Sequence, residues 1–166
     1  MKCKIITTSK QCELDGVSLF DNTFFGNEPI YEANPYNGID PSSISSITTY
    51  FDGELLQNGD DVRVIYDEVD QQGDVSQTIV AFNLGEPREV TITRSGSIET
   101  IMLFSEGQRT ISVYQTPFMP FELGIYAKKV SNRLLEDGVL EISYIVEIKG
   151  AVAQKTELKL EVKQDD

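Results

Sequence analysis

Apolar and polar side chains alternate in the stretch Asp61-Val-Arg-Val-Ile-Tyr-Asp-Glu-Val69, and again in Arg88-Glu-Val-Thr-Ile-Thr-Arg-Ser-Gly96. Alternation with a period of two is typical of a β-strand that buries one face. Similar stretches recur about every 9 to 17 residues, which is the spacing of an all-β sandwich or barrel. Consecutive antiparallel strands can hide all of their edges by closing into a ring. The sequence therefore predicts an all-β fold, a single closed antiparallel meander barrel of about 8 to 10 strands.

Turn residues such as Asn58-Gly59 separate the predicted strands. The first strand is predicted at Lys2–Glu13. The later strands are predicted at Ser46–Leu56, Asp61–Val69, Val75–Leu84, Arg88–Ser95, Ile98–Ser105, Arg109–Thr116, Pro120–Val130, Gly138–Lys149 and Gln154–Lys163.

Two local details near the C-terminal end complete this strand pattern. A short helix is predicted between Ser131 and Glu136, and it is the only helical candidate in the meander. A three-residue loop, Gly150-Ala-Val152, would place Glu147 directly across from Lys155 as an ion pair on the outer surface.

The segment 14–46 interrupts the alternating pattern. It contains Pro29, Pro35 and Pro41, which exclude a central strand and a long helix. It also holds five aromatic residues, Phe20, Phe24, Phe25, Tyr31 and Tyr36, too many for a disordered linker. We expect a long loop excursion packed on the barrel, inside a single β-barrel domain that spans residues 1–166.

The chain is strongly acidic, with a formal net charge of -13 over 166 residues. Ten acidic residues and no Lys or Arg lie between Gln11 and Val62. Such a field repels phosphate backbones and anionic lipid surfaces, so we expect neither nucleic acid nor a membrane as a partner. The simplest role of the acidity is solubility.

The N-terminal residues and the two cysteines indicate a bacterial cytoplasmic protein. The N-terminus carries charge without the apolar run of a signal peptide, and no stretch reaches membrane-spanning length. Cys3 and Cys12 fall on the predicted first strand, where their separation would be roughly 30 Å, far beyond disulfide reach. We therefore expect two free thiols, as in a reducing compartment.

The sequence contains no catalytic signature. It has no His, which removes Ser-His and Cys-His nucleophiles and His-ligated zinc or haem. Adjacent carboxylates such as Asp67-Glu68 point to opposite faces of a strand and do not converge. No calcium-binding loop or phosphate-binding glycine loop stands out. We expect no catalytic residue, no metal site and no cofactor.

Arg94 is the strongest candidate for a ligand contact, because the alternation places it on an apolar face with Val90 and Ile92. The same argument turns Tyr66 and Glu68 inward. An unpaired interior charge costs several kcal/mol, so Arg94 requires a partner. Either it pairs internally with Glu68 or a tyrosine hydroxyl, or it binds the carboxylate or phosphate of a ligand.

A second group of candidates comes from the strands predicted at Ile98–Ser105 and Arg109–Thr116. Both faces of these strands carry apolar residues, so the inward face is ambiguous. Four side chains there would line a pocket or fill the core, with core packing favoured: Met102, Phe104, Tyr114 and Thr116.

Several short motifs occur in order along the chain: Tyr66-x-Glu68, Arg94-x-Gly96, Met102-x-Phe104, Tyr114-x-Thr-Pro117, and a late strand with Gly138 and Tyr144. Together they resemble the YwiB-like family of bacterial proteins, a domain of unknown function. The resemblance implies a cytosolic calycin-like (lipocalin-like) β-barrel with no established activity. Calycin relatives commonly hold an apolar or amphipathic ligand in the lumen. The chain has no Trp, so it departs from the Gly-x-Trp first strand of lipocalins proper.

Two functional hypotheses follow from these observations. In the first, the barrel binds a small amphipathic anion, with Arg94 as the anchor and Tyr66, Phe104, Tyr114 and Tyr144 lining the lumen. In the second, the barrel is solid and the acidic, aromatic excursion binds a partner protein. The sequence leaves open whether the lumen is filled and what the oligomeric state is.

Overall fold

The protein is described by a computed structural model, which covers residues 1–18, 44–70, 72–96, 99–115, 121–148 and 151–165. These residues form ten strands. Their bounds are β1 Lys2–Ser18, β2 Ile44–Asn58, β3 Asp61–Val69, β4 Val75–Asn83, β5 Glu86–Ser95, β6 Glu99–Ser105, β7 Arg109–Gln115, β8 Phe121–Arg133, β9 Val139–Ile148 and β10 Ala151–Gln164.

The ten strands form a closed antiparallel barrel, as predicted. Each strand pairs with its neighbour in the chain, and β1 also pairs with β10 to close the ring. Ile5 shows the closure, since it lies opposite Val162 on one side and Phe51 on the other. Strands that follow one another in the chain pair antiparallel, so the fold is an up-and-down meander.

Strand β1 is longer than predicted, which corrects the bounds of the excursion. It continues to Ser18, which pairs with Ala151 of β10, and β2 begins at Ile44. The register of β1 shifts between Glu13 and Val17. This irregularity lets the strand extend beyond the residues in which apolar and polar side chains alternate. The predicted loop 14–46 is therefore wrong at both ends, and residues 19–43 lie outside the described part of the chain. Cys3 and Cys12 both lie on β1, are buried and form no disulfide, as predicted.

The predicted helix at Ser131–Glu136 is wrong. Strand β8 continues to Arg133, because a bulge between Ala127 and Lys129 keeps Val130 on the core side. A tight turn then replaces the helix, in which the Arg133 carbonyl accepts hydrogen bonds from the amides of Glu136, Asp137 and Gly138. Among the described residues, no helix is long and apolar enough to span a membrane.

The predicted pairing of Glu147 with Lys155 is also wrong. Strand β10 begins at Ala151, which shortens the turn, so Glu147 lies opposite Val152 and Lys155 lies opposite Ile145. A register shift between Val152 and Gln154 adds to this displacement.

The hydrophobic core lies inside the ring and receives side chains from every strand except β7 among those described. Its centre consists of large apolar side chains that are at most 1 % exposed: Ile5, Val62, Val64, Val80, Val90, Phe104, Ile125, Leu140, Ile142 and Leu160. Alternate residues of the same strands face outward, so the period of two that predicted the strands also fixes which side chains fill the barrel.

Candidate functional site

Arg94 faces the barrel axis but is not enclosed. It lies opposite Thr78 on β4 and Thr100 on β6, which are both buried. Its guanidinium forms an ion pair with Glu68 of β3, and the two side chains are 47% and 23% exposed. The last residues of β3 and β5 thus form an open end of the barrel, and at this end Arg94 has both a protein partner and contact with solvent.

Tyr66 forms the floor beneath this ion pair. It is buried, it lies opposite Thr78, and its ring stacks on Phe51 with the ring centroids 4.8 Å apart. Burial strongly raises the pKa of the Tyr66 phenol, the charge of Glu68 raises this pKa further, and Arg94 and the Thr78 hydroxyl partly offset the rise. The phenol is therefore neutral at physiological pH. The open end combines a guanidinium, a carboxylate and a neutral phenol, and the guanidinium can donate hydrogen bonds to an anion.

Three of the other predicted lumen residues, Phe104, Met102 and Tyr144, belong to the core or pack against it. Phe104 is fully buried and its ring contacts Tyr144, with the centroids 4.7 Å apart. Tyr144 and Met102 are partly buried and pack against the same core. The backbone of Tyr114 pairs with Thr100 and Phe121. Thr116 lies outside the described residues.

The middle of the barrel is filled with side chains. Residues from six different strands meet there, including Val64, Val90, Phe104, Ile125, Leu140 and Leu160, and none is more than 1 % exposed. A void large enough for a water molecule would leave accessible area on the side chains around it. The barrel thus has no solvent-sized space at the level of these residues.

An apolar surface on the outside of the barrel was not assigned from the sequence. Ile101 of β6 and Ile111 of β7 are 63% and 70% exposed, and Val113 of β7 is 41% exposed. Together with Leu103 they line an open groove of about 400 Å³, which we call the β6–β7 groove. The only sequence signal was the apolar character of both faces of these two strands, because one face fills the core and the other lines the groove.

The groove lies along the shortest ladder between described strands. The described ladder between β6 and β7 has two residue pairs, Glu99 with Gln115 and Thr100 with Tyr114. Farther along, side chains of β7 replace backbone donors: Thr110 Oγ1 donates to the Leu103 carbonyl at 2.6 Å, and Ser112 Oγ donates to the Ile101 carbonyl at 2.6 Å. These hydroxyl bonds hold the seam closed where the strands separate.

A second arginine–glutamate pair lies beside this surface and was also missed. Arg109 Nε donates to Glu147 Oε1 at 3.1 Å, and the two side chains are 22% and 6% exposed. Glu147 lies opposite Gly124, where an added Cβ would approach Glu147 Oε2 to 2.8 Å, so the glycine leaves room for the carboxylate. Burial raises the pKa of Glu147, and Arg109 partly offsets the rise. Arg109 and Glu147 are far apart in sequence, so no local pattern joins them.

The described residues form a small all-β meander barrel whose middle is filled with side chains and which is open at the end where Arg94 lies. Residues 39–160 match the family model described as Domain of unknown function (DUF1934). The chain belongs to this family, as the resemblance predicted.

A solved structure has the same fold. The crystal structure of the ywiB protein from Bacillus subtilis superposes with a TM-score of 0.65 at 20% sequence identity, and the match covers 98% of this chain and 94% of that chain. At this identity the likeness shows the fold alone. Among proteins with curated descriptions, none matches the sequence significantly.

Proposed function

We propose that this protein is an interaction module, a rigid barrel that binds a partner through its outer surface and not through a ligand-filled lumen. The observation that carries the proposal is the filled middle of the barrel, where Phe104 and side chains from five other strands are at most 1 % exposed and pack against one another. Lipocalin-type binding requires an interior cavity, and a barrel of this size range has one only where its inward-facing side chains leave space.

The outer surface supports the same proposal. Most monomeric proteins expose apolar side chains singly, whereas contiguous exposed patches mark interaction sites. The β6–β7 groove brings Ile101, Ile111 and Val113 together on adjacent strands. The absence of His from the sequence removes the commonest general base, which favours binding over catalysis.

Native mass spectrometry of the protein purified from its own host tests the packed interior. We expect the bare chain of 18.6 kDa, without a small-molecule adduct, and no binding of added benzene. The Phe104→Ala variant is the positive control, since removing a buried aromatic ring leaves a cavity that can take up benzene and destabilises the fold by about 3 to 5 kcal/mol. If that variant does not fold, Phe104→Leu opens a smaller cavity. A stoichiometric adduct on the wild-type protein would contradict the proposal.

A second candidate function is the binding of a small anion, or an amphipathic molecule with an anionic head group, at the open end of the barrel. The half-exposed guanidinium of Arg94 favours it, because a carboxylate or phosphate can reach Arg94 from solvent while Tyr66 offers a neutral hydrogen-bond donor. In this candidate Arg94 is the anchor, and Tyr66 lies beneath it. An adduct that the host-purified wild type retains and the Arg94→Met variant loses would select this candidate over the first.

A further inference from the structure

We infer that the β6–β7 groove binds an extended segment of a partner protein in which a few apolar side chains are flanked by Lys or Arg. This inference rests on the proposed function and names the surface and the chemistry of its partner.

The spacing of the groove residues indicates an extended occupant. Ile101 and Leu103 are two residues apart on β6, and Ile111 and Val113 are two residues apart on β7. All four face outward, opposite to Phe104 and Met102 of the core. Side chains two apart on a strand are separated by roughly 7 Å, which is also the repeat of alternate side chains in an extended peptide. Such a peptide can therefore place successive apolar side chains between the two rows.

The charges around the groove favour a cationic partner. Glu122 lies directly opposite Val113, and Glu99 precedes Ile101 on the same outward face; both carboxylates are exposed. Arg94 also lines the groove, but its charge is offset by the ion pair with Glu68, as the charge of the neighbouring Arg109 is offset by Glu147. The field over the groove is thus negative, in a chain whose net charge is -13. Lys or Arg beside the apolar residues of a partner would complement this field.

The same charges argue against a second copy of the chain as the occupant. A symmetric dimer through this groove would bring Glu99 and Glu122 of both copies together, and like charges across an interface are unfavourable. Nucleic acid is repelled for the same reason. A partner protein segment satisfies both the apolar lining and the acidic rim.

The test uses a synthetic peptide in which Val alternates with Thr between terminal pairs of Lys. We expect saturable binding by the full chain, followed by fluorescence anisotropy of a labelled peptide, with amide NMR shifts concentrated at Ile101, Leu103, Ile111 and Val113. The double variant Ile101→Ser/Ile111→Ser should weaken binding about tenfold or more, because it removes two large apolar side chains from the contact. The matched control is Ile47→Ser, which changes an equally exposed isoleucine on β2 and should leave the affinity unchanged.

The acidic rim is tested separately. The double variant Glu99→Gln/Glu122→Gln should bind the peptide more weakly, and its affinity should depend less on salt concentration. The control Glu54→Gln/Glu136→Gln changes two exposed sites away from the groove and should alter neither the affinity nor its salt dependence. A peptide with Glu in place of Lys should not bind.

Three results would overturn the inference: no binding of the Lys peptide, binding that Ile101→Ser/Ile111→Ser leaves unchanged, or a wild-type dimer in sedimentation that this double variant dissociates. None of these three results depends on whether the barrel interior holds a ligand. A small-molecule adduct in native mass spectrometry would instead overturn the proposed function, so the two failures are distinguishable. All variants change exposed side chains, and circular dichroism checks that each is folded.

Discussion

Arg94 pairs with Glu68 at an open end of the barrel and is about half exposed, whereas Arg109 pairs with Glu147 on the outer face and is mostly buried. The alternation of β5 turns Arg94 toward the axis, and that of β9 turns Glu147 away from it. The inward-facing pair is thus the more exposed one, and the outward-facing pair is the more buried one. Facing the axis buries a side chain only near the middle of a barrel, and facing outward exposes it only where nothing else covers it.

The two pairs also differ in what they contribute to stability. An exposed pair gains little because water screens both charges. A buried pair has lost its hydration, so each charge depends on the other and on the nearby hydrogen bonds. Glu147 shows this dependence, since burial raises its pKa and Arg109 works against that rise.

The largest effect is expected for Arg109→Met. The substitution leaves the Glu147 carboxylate buried without its guanidinium, and we expect a loss of about 3 kcal/mol in the free energy of unfolding at pH 7. Chemical denaturation monitored by circular dichroism measures it. The double variant Arg109→Met/Glu147→Gln is the control and should recover most of the loss, because no buried charge remains. A decrease of less than about 1 kcal/mol in the free energy of unfolding would mean that this pair contributes no more to stability than an exposed ion pair does.

A smaller effect is expected from pH. The folded pKa of Glu147 is raised above its ordinary value of 4.5, so the folded protein holds this proton more tightly than the unfolded chain does. Through this group, stability therefore rises as the pH falls through the folded pKa toward 4.5. Arg109→Met removes the positive charge that lowers this pKa, so the variant gains more stability than the wild type as the pH falls. Its deficit in the free energy of unfolding relative to the wild type should therefore shrink from pH 7 to pH 4.5. Denaturation at a series of pH values measures the deficit.

The double variant Arg109→Met/Glu147→Gln serves again as the control for pH, because it has no carboxyl group at position 147 to titrate. Its difference from Arg109→Met should narrow as the pH falls. A deficit of Arg109→Met that grows toward acid pH would show that Arg109 does not lower the pKa of Glu147.

The smallest effect is expected for Arg94→Met. Its partner Glu68 keeps partial contact with solvent, so we expect a loss of less than about 1 kcal/mol in the free energy of unfolding. The same denaturation experiment compares it directly with Arg109→Met. A loss as large as that of Arg109→Met would mean that the open end encloses Glu68 far more than its exposed fraction indicates.

Most of the fold was predictable from the alternation of side chains, because each strand has one face in a common core. Strand β3 coincides with its predicted bounds, Asp61–Val69. The errors fall where the alternation breaks. Bulges near Lys128 and in β10 shift the face of later residues by one, so they hid the true end of β8 and the true partner of Glu147. A bulge has no apolar signal of its own.

Less of the candidate site was predictable. The pairing of Arg94 with Glu68 followed from two inward-facing charges on strands close in the chain. The exposure of Arg94 did not follow, because exposure depends on depth along the barrel axis, which no periodicity encodes. The sequence signal for the groove at Ile101 and Ile111 is that both faces of their strands are apolar. Such a pattern fits a strand buried on both faces and a strand with an exposed docking surface equally well.

The position of β1 between β2 and β10 has a kinetic consequence. Every other described pairing joins strands that follow one another in the chain, so those hairpins can form locally and early. The β1–β10 ladder, in which Lys4 meets Lys163, needs the two most distant parts of this chain to find each other. Contacts of such long sequence separation slow folding. Annealing of β1 to β10 should therefore be the last and rate-limiting event, and until it occurs the edge of β10 is open to pairing with other chains.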